Sequence, residues 1–140
     1  MKITICGSST FKEEMLEYKD KLINLGHDVI VHPDYEGLVS GEKQDLWERI
    51  KKEHGAVKKE NRYIRWYYDA IVSSDAILVL NFDKNGIPNY IGGNTLMEIG
   101  FAHVHDKKIF LLNDIPELSY TDEILAMYDV ILNGDLSRIK

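Results

Sequence analysis

DAILVLNFDKNGIPNYIGGNTLMEIGFAHVHDKKIFLLN, residues Asp75 to Asn113, decides how this chain folds. Asp75 to Asn81 is a continuous apolar run between polar ends, the pattern of a central parallel strand covered on both faces. Asp83, Asn85, Gly86 and Pro88 are turn formers, so Phe82 to Asn89 reads as a loop. The paired Gly92 and Gly93 then feed a helix running from about Asn94 to His105. Lys108 to Asn113, KIFLLN, is another fully apolar strand. Strand, helix and strand in this order are a parallel unit joined by a crossover.

Outward from this unit the alternation continues. Lys2 to Cys6 is a short β-branched strand that breaks at Gly7-Ser8-Ser9-Thr10. Thr10 and Glu13 have the spacing of a capping box, and Phe11, Met15, Tyr18, Leu22 and Leu25 make one helical face. Gly26 stops that helix, and His27 to Val31 gives a second strand closed by Pro33. From 34 to 61 the pattern is weaker. Glycines 37 and 41 predict a loop, and a helical stretch follows in which Trp47, Ile50, His54 and Val57 share a face and Gly55 weakens continuity. Its lysines read as a solvated face. Tyr63, Trp66, Tyr67, Ala70 and Ile71 form a broad aromatic face. Beyond Pro116, Asp122 to Met127 is a short helix and Val130 to Leu132 a last strand. The expectation is one α/β domain over residues 1–140, Rossmann-like or flavodoxin-like. It has about five parallel strands in the order 2-1-3-4-5 and helices on both faces.

Bulk properties narrow the function. Seventeen basic against 23 acidic residues, net −6, argue against a nucleic-acid partner. The single cysteine, Cys6, fits a reducing compartment. MKITICG has no long apolar run, and no stretch approaches the roughly 18 residues of a membrane span, so the reading is cytoplasmic with no membrane partner. No signature for a nucleotide phosphate loop is complete, because the Gly92-Gly93-Asn94-Thr95 segment lacks both a Walker lysine and a G-x-G-x-x-G spacing. His103 and His105 do not have metal-ligand spacing, so neither a metal nor a cofactor is expected.

Glu98 stands out, being the one ionisable side chain among Leu96, Met97, Ile99, Gly100, Phe101 and Ala102. Burying such a carboxylate is costly unless it is paired or used. It shares a helix face with Asn94, about one turn below the free N–H groups of the glycine-led helix start. In an α/β sheet of this type the strand ends beside that helix start form the ligand crevice. A carboxylate so placed can attack an electrophilic carbon and form a covalent ester. It can equally be a structural acid bonded to a neighbouring loop, and spacing does not choose between the two.

Three stretches carry a resemblance to the nucleoside 2-deoxyribosyltransferase-like superfamily, especially its small archaeal and bacterial members. They are ITICGSSTF (Ile3 to Phe11), the stretch from Ser74 to Asn113, and YTDEILAM (Tyr120 to Met127). The resemblance implies an N-glycosidase or deoxyribosyltransferase that cleaves the N-glycosidic bond of a (deoxy)nucleoside or its 5′-monophosphate. Glu98 matches the family's nucleophile. Gly7, Ser8, Ser9 and Phe11 match the first sugar- or phosphate-cradling loop, and Tyr90, Gly92, Gly93, Asn94 and Thr95 the segment before the nucleophile. Asn81 and Asp83 match the opening of the pocket after the third strand. The family's additional acid, on the helix before that strand, falls near Tyr67-Tyr68-Asp69. Asp69 supplies it only with a shifted register; otherwise a tyrosine stands there. The resemblance also implies a homo-oligomer in which a neighbour's C-terminal region, near Asn133-Gly134-Asp135, completes the pocket. Two other readings stand beside this one: a nucleotide- or nucleoside-binding module without catalysis, and a partner-binding domain using the aromatic face.

Overall fold

A computed structural model describes residues 1–140. Five parallel strands, β1 (Lys2–Gly7), β2 (Asp28–Ile30), β3 (Ala76–Leu80), β4 (Lys108–Leu111) and β5 (Val130–Ile131), form one sheet in the order β2-β1-β3-β4-β5. This is the 2-1-3-4-5 order expected from the alternation. The helices are α1 (Lys12–Asn24), α2 (Asp34–Ser40), α3 (Gln44–Asn61), α4 (Tyr63–Val72), α5 (Gly93–Val104) and α6 (Thr121–Met127).

The two-residue period of the strands sorts their side chains into two cores. Ile3, Ile5, Leu78, Leu80 and Phe110 pack with Met15 and Leu22 of α1 and Ile50 and Val57 of α3. Cys6, Ile77, Val79, Ile109 and Leu111 face the other way, onto Ile71 of α4, Ile99 and Ala102 of α5 and Ile124 of α6. All five residues of β3 are buried, which is why that strand reads as apolar without alternation. Its register against β1 sets Cys6 beside Val79 and Gly7 beside Leu80, so both strands end at one level.

Two local expectations are corrected. The Thr10–Glu13 capping box does not form. The Ser8 hydroxyl accepts the Thr10 N–H at 3.2 Å, and a 3-10 turn over Ser9–Phe11 delays the helix start to Lys12. The loop expected around residues 37 and 41 is helix α2. Gly37 serves close packing there, since a Cβ would lie 2.6 Å from the Lys43 stem, and only Gly41, at φ +88°, ends the helix. Lys43 in turn reaches the Asp34 carboxylate. Helix α3 is interrupted at Glu53 (φ −131°, ψ 44°), two residues before the glycine thought to weaken it.

Candidate active site

Beyond the carboxyl ends of β1 and β3 lies a cavity of 230 Å³. Glu98, only 3% exposed, forms part of its wall. Asn94 Nδ2 donates to Glu98 Oε2 at 3.2 Å from the preceding turn. Burial pushes the Glu98 carboxyl up to about 8, against the opposing pull of a hydrogen bond from the Cys6 thiol and the charge of Lys58. Burial outweighs both because a carboxylate loses most of its hydration in this position. The Cys6 thiol is itself pushed well up, by burial first and then by the charge of Glu98.

The glycine-led helix start borders the same cavity. Gly92, Gly93, Asn94 and Thr95 all line it, and α5 begins with no side-chain cap. The first backbone N–H groups of the helix therefore lack an internal partner and carry the positive end of its dipole. A Cβ at Gly92 would stand 3.0 Å from the Tyr90 hydroxyl, so the glycine leaves that ring its room beside the helix start. Across from the helix start, Gly7, Ser8 and Ser9 complete the rim.

Two lysines supply positive charge. Lys84 Nζ donates to Ser8 Oγ at 3.0 Å and lies 5.0 Å from the centre of the Tyr90 ring. Lys58 enters from α3, one turn after His54, and both line the cavity. Burial lowers the Lys58 ammonium from its usual range, with Glu98 opposing and Lys84 adding to the shift. Burial also lowers His54, followed by the charges of Lys58 and Lys84. Three basic groups thus repel one another around a cavity whose buried acid is Glu98.

The remaining wall is aromatic. His32, just after β2, packs against Tyr63, Trp66 and Tyr67 with ring centres 4.8, 4.4 and 6.1 Å away. Its Nδ1 accepts the Asp34 backbone N–H at 3.0 Å, so the neutral ring carries its proton on Nε2. Burial lowers the His32 imidazole, which keeps it neutral despite the Asp34 carboxylate. Asp34 accepts from the Tyr63 hydroxyl at 2.6 Å. Burial raises the Tyr35 and Tyr67 phenols, and the Glu98 charge adds to both, so each remains a proton-bearing group beside the carboxylate.

Of the residues singled out in the sequence, Gly7, Ser8, Ser9, Tyr90, Gly92, Gly93, Asn94, Thr95 and Glu98 line this cavity. Four others lie elsewhere. Phe11 is buried with its ring edge-on to Phe82, 5.3 Å between centres. Asn81, fully buried, ties β3 to the end of β4. It accepts the Asn113 N–H at 2.8 Å and donates to the carbonyls of Asn113 and Asp114. Asp83 accepts the Asn89 N–H at 3.0 Å within its own loop. Asp69 is exposed on α4. It lies two residues after Tyr67, about 200° around the helix, so Tyr67 lines the cavity and Asp69 does not.

His32, Asp34, Tyr35, His54 and Lys58 line the cavity without having been assigned to a site from the sequence, and Tyr67 lines it where the sequence left either a tyrosine or a shifted Asp69. Along the chain His54 reads as one residue of a helical face and Lys58 as part of a solvated one. No group of three or more His, Cys, Asp or Glu side chains converges to hold a metal ion. No helix is long and apolar enough to cross a membrane.

Comparison with known proteins bears on the fold. No protein-family model matches the chain, and no curated protein matches it. Among solved structures, the CMP N-glycosidase BcmB of Clostridium botulinum is similar over 95% of this chain and 90% of that one. The TM-score is 0.50 and the identity 17%. The chain therefore shares the single-sheet α/β architecture of that enzyme along nearly its whole length.

Proposed function

We propose that this protein cleaves the N-glycosidic bond of a (deoxy)nucleoside 5′-monophosphate, with Glu98 as the nucleophile. The observation that carries the reading is the placement of Glu98 in a cavity wall below an uncapped helix start and beside two lysines. A structural acid at 3% exposure would be expected to have a cation or several donors bound to it. Asn94 is the hydrogen-bonding partner of Glu98, and no cation forms an ion pair with it. The similarity in fold to a CMP N-glycosidase is consistent with this chemistry.

In this reading a Glu98 oxygen bonds to C1′ while the C1′–N bond breaks and its electron pair leaves with the base. His32 Nε2–H is assigned to hydrogen-bond the leaving base, and the phenol of Tyr67 to supply its proton, which the water that resolves the ester returns. The resulting ester is resolved by water or by a second base. The phosphate is assigned to Ser8, the start of α5, and the Lys84 ammonium, groups suited to an anion. The reading also takes the protein as a cytoplasmic homo-oligomer. Val72, Met97 and Val104, exposed on adjacent helices, offer apolar contact area. Light scattering that finds only monomer at micromolar concentration would remove that part.

The test is release of base from a panel of deoxynucleosides, ribonucleosides and their 5′-monophosphates, comparing wild type with Glu98→Ala. The reading expects turnover of at least one monophosphate by wild type and none by the variant. Equal turnover in both proteins overturns it. Binding of a nucleotide without turnover by wild type favours a non-catalytic module instead, for which the exposed position of Asp69 is the motivating observation.

A further inference from the structure

A second groove opens on the far side of Lys58. It has a volume of 720 Å³ and lies between the C-terminal half of α3 and the outer sides of α4 and α5. Lys58 borders both this groove and the Glu98 cavity, so one side chain is the wall between them. Lys59, Arg62 and Arg65 continue the charge away from that wall, and no carboxylate lines the groove.

None of these four cations makes an ion pair. Of the acids nearest in sequence, Glu53 and Glu60 are both held by Arg49, and Asp69, one turn after Arg65, lies outside the groove lining. In a chain of net charge −6, four neighbouring cations in a groove lined by no carboxylate are a local reversal of sign. Complementing the α3 dipole accounts for Lys58 and Lys59, which lie in its last turn. It extends to Arg62, which caps α3, but not to Arg65 in the first turn of α4, where a helix dipole disfavours a cation. Like charges in this arrangement are relieved by a bound anion.

We propose that the groove binds a second anionic group of the same ligand, so that the site takes nucleotides extended beyond the first phosphate, nucleoside 5′-diphosphates in particular. The first phosphate lies at Ser8, Lys84 and the start of α5, and the second passes Lys58 to reach Lys59, Arg62 and Arg65. This rests on the reading of the Glu98 cavity as a nucleotide site, but it concerns binding and not cleavage.

The experiment is calorimetric titration of the full-length Glu98→Gln protein with AMP, ADP, CMP and CDP, without divalent cations. The same titrations are made on Glu98→Gln carrying Lys59→Gln and Arg65→Gln, with its fold checked by circular dichroism. Each diphosphate should bind about tenfold tighter than its monophosphate. The added pair of substitutions should remove that preference while leaving monophosphate affinity unchanged. Equal affinity for mono- and diphosphates overturns this inference alone, as does a preference that survives both substitutions. Failure of every nucleotide to bind overturns the cavity reading with it.

Discussion

Asn94 Nδ2 donates to Glu98 Oε2 at 3.2 Å, binding two residues one turn apart on the inner face of α5. The bond aims the carboxylate and favours its charged form, since the amide can only donate from that atom. Replacing Asn94 by Ala should lower kcat/KM about tenfold, the worth of one hydrogen bond to a charged group. The dependence of kcat/KM on pH should move to higher pH at the same time. A profile that stays in place while activity falls would assign Asn94 to substrate contact alone.

A nucleophile must be ionised, and burial holds the Glu98 carboxyl at about 8. Since kcat/KM reports the free enzyme, it should rise with pH through neutrality and level off above about 8. A profile flat from pH 5 to 9 contradicts the placement of this charge.

The same shift acts on stability, with the opposite preference. The folded value of Glu98, about 8, lies above its ordinary value of 4.5, so the folded state holds the proton more tightly. The associated stabilisation is fully present below pH 4.5 and is lost as pH rises to about 8. Glu98→Gln, which cannot ionise, should therefore raise Tm over wild type more at pH 8 than at pH 5. Thermal denaturation at the two values checks this, and an equal difference at both contradicts it. The protein would then carry in Glu98 a group that costs stability where it is active, a common relation between function and stability.

Lys58 and Lys84 face the same cavity but are expected to act on different charges. Lys84→Met should raise KM for a monophosphate about tenfold and leave the parent nucleoside unaffected. Lys58→Met should instead lift Glu98 further, because the lysine charge favours the carboxylate, and so lower kcat/KM at neutral pH for nucleoside and nucleotide alike. Equal losses for nucleoside and nucleotide in Lys84→Met would separate that lysine from the phosphate.

The sheet order was legible because β3, α5 and β4 are consecutive and each has a clear period. The start of the site was legible for the same reason: Gly92, Asn94, Thr95 and Glu98 are neighbours in sequence and remain so in the cavity. The basic wall was not. Lys58 lines the cavity with Glu98 only because the half of α3 beyond the break at Glu53 is brought to it by the fold. Along the chain that lysine is one of several on a charged helix, with the composition of a solvated face. Asn81 shows the converse. Its position at the end of β3 marked it as a pocket residue, yet its side chain is consumed in tying two strand ends together. Asp69 lies outside the cavity through phase alone, since a helix turns its neighbours two residues apart to nearly opposite sides.

The central claim is that Glu98 becomes covalently bonded to the sugar. Intact-protein mass spectrometry of rapidly quenched reactions, followed by peptide mapping, tests it most directly. The account predicts an added mass equal to the sugar phosphate less one water, located on the peptide that carries Glu98 and absent from Glu98→Gln. Base release at full rate with no adduct, together with undiminished turnover by Glu98→Gln, would contradict it.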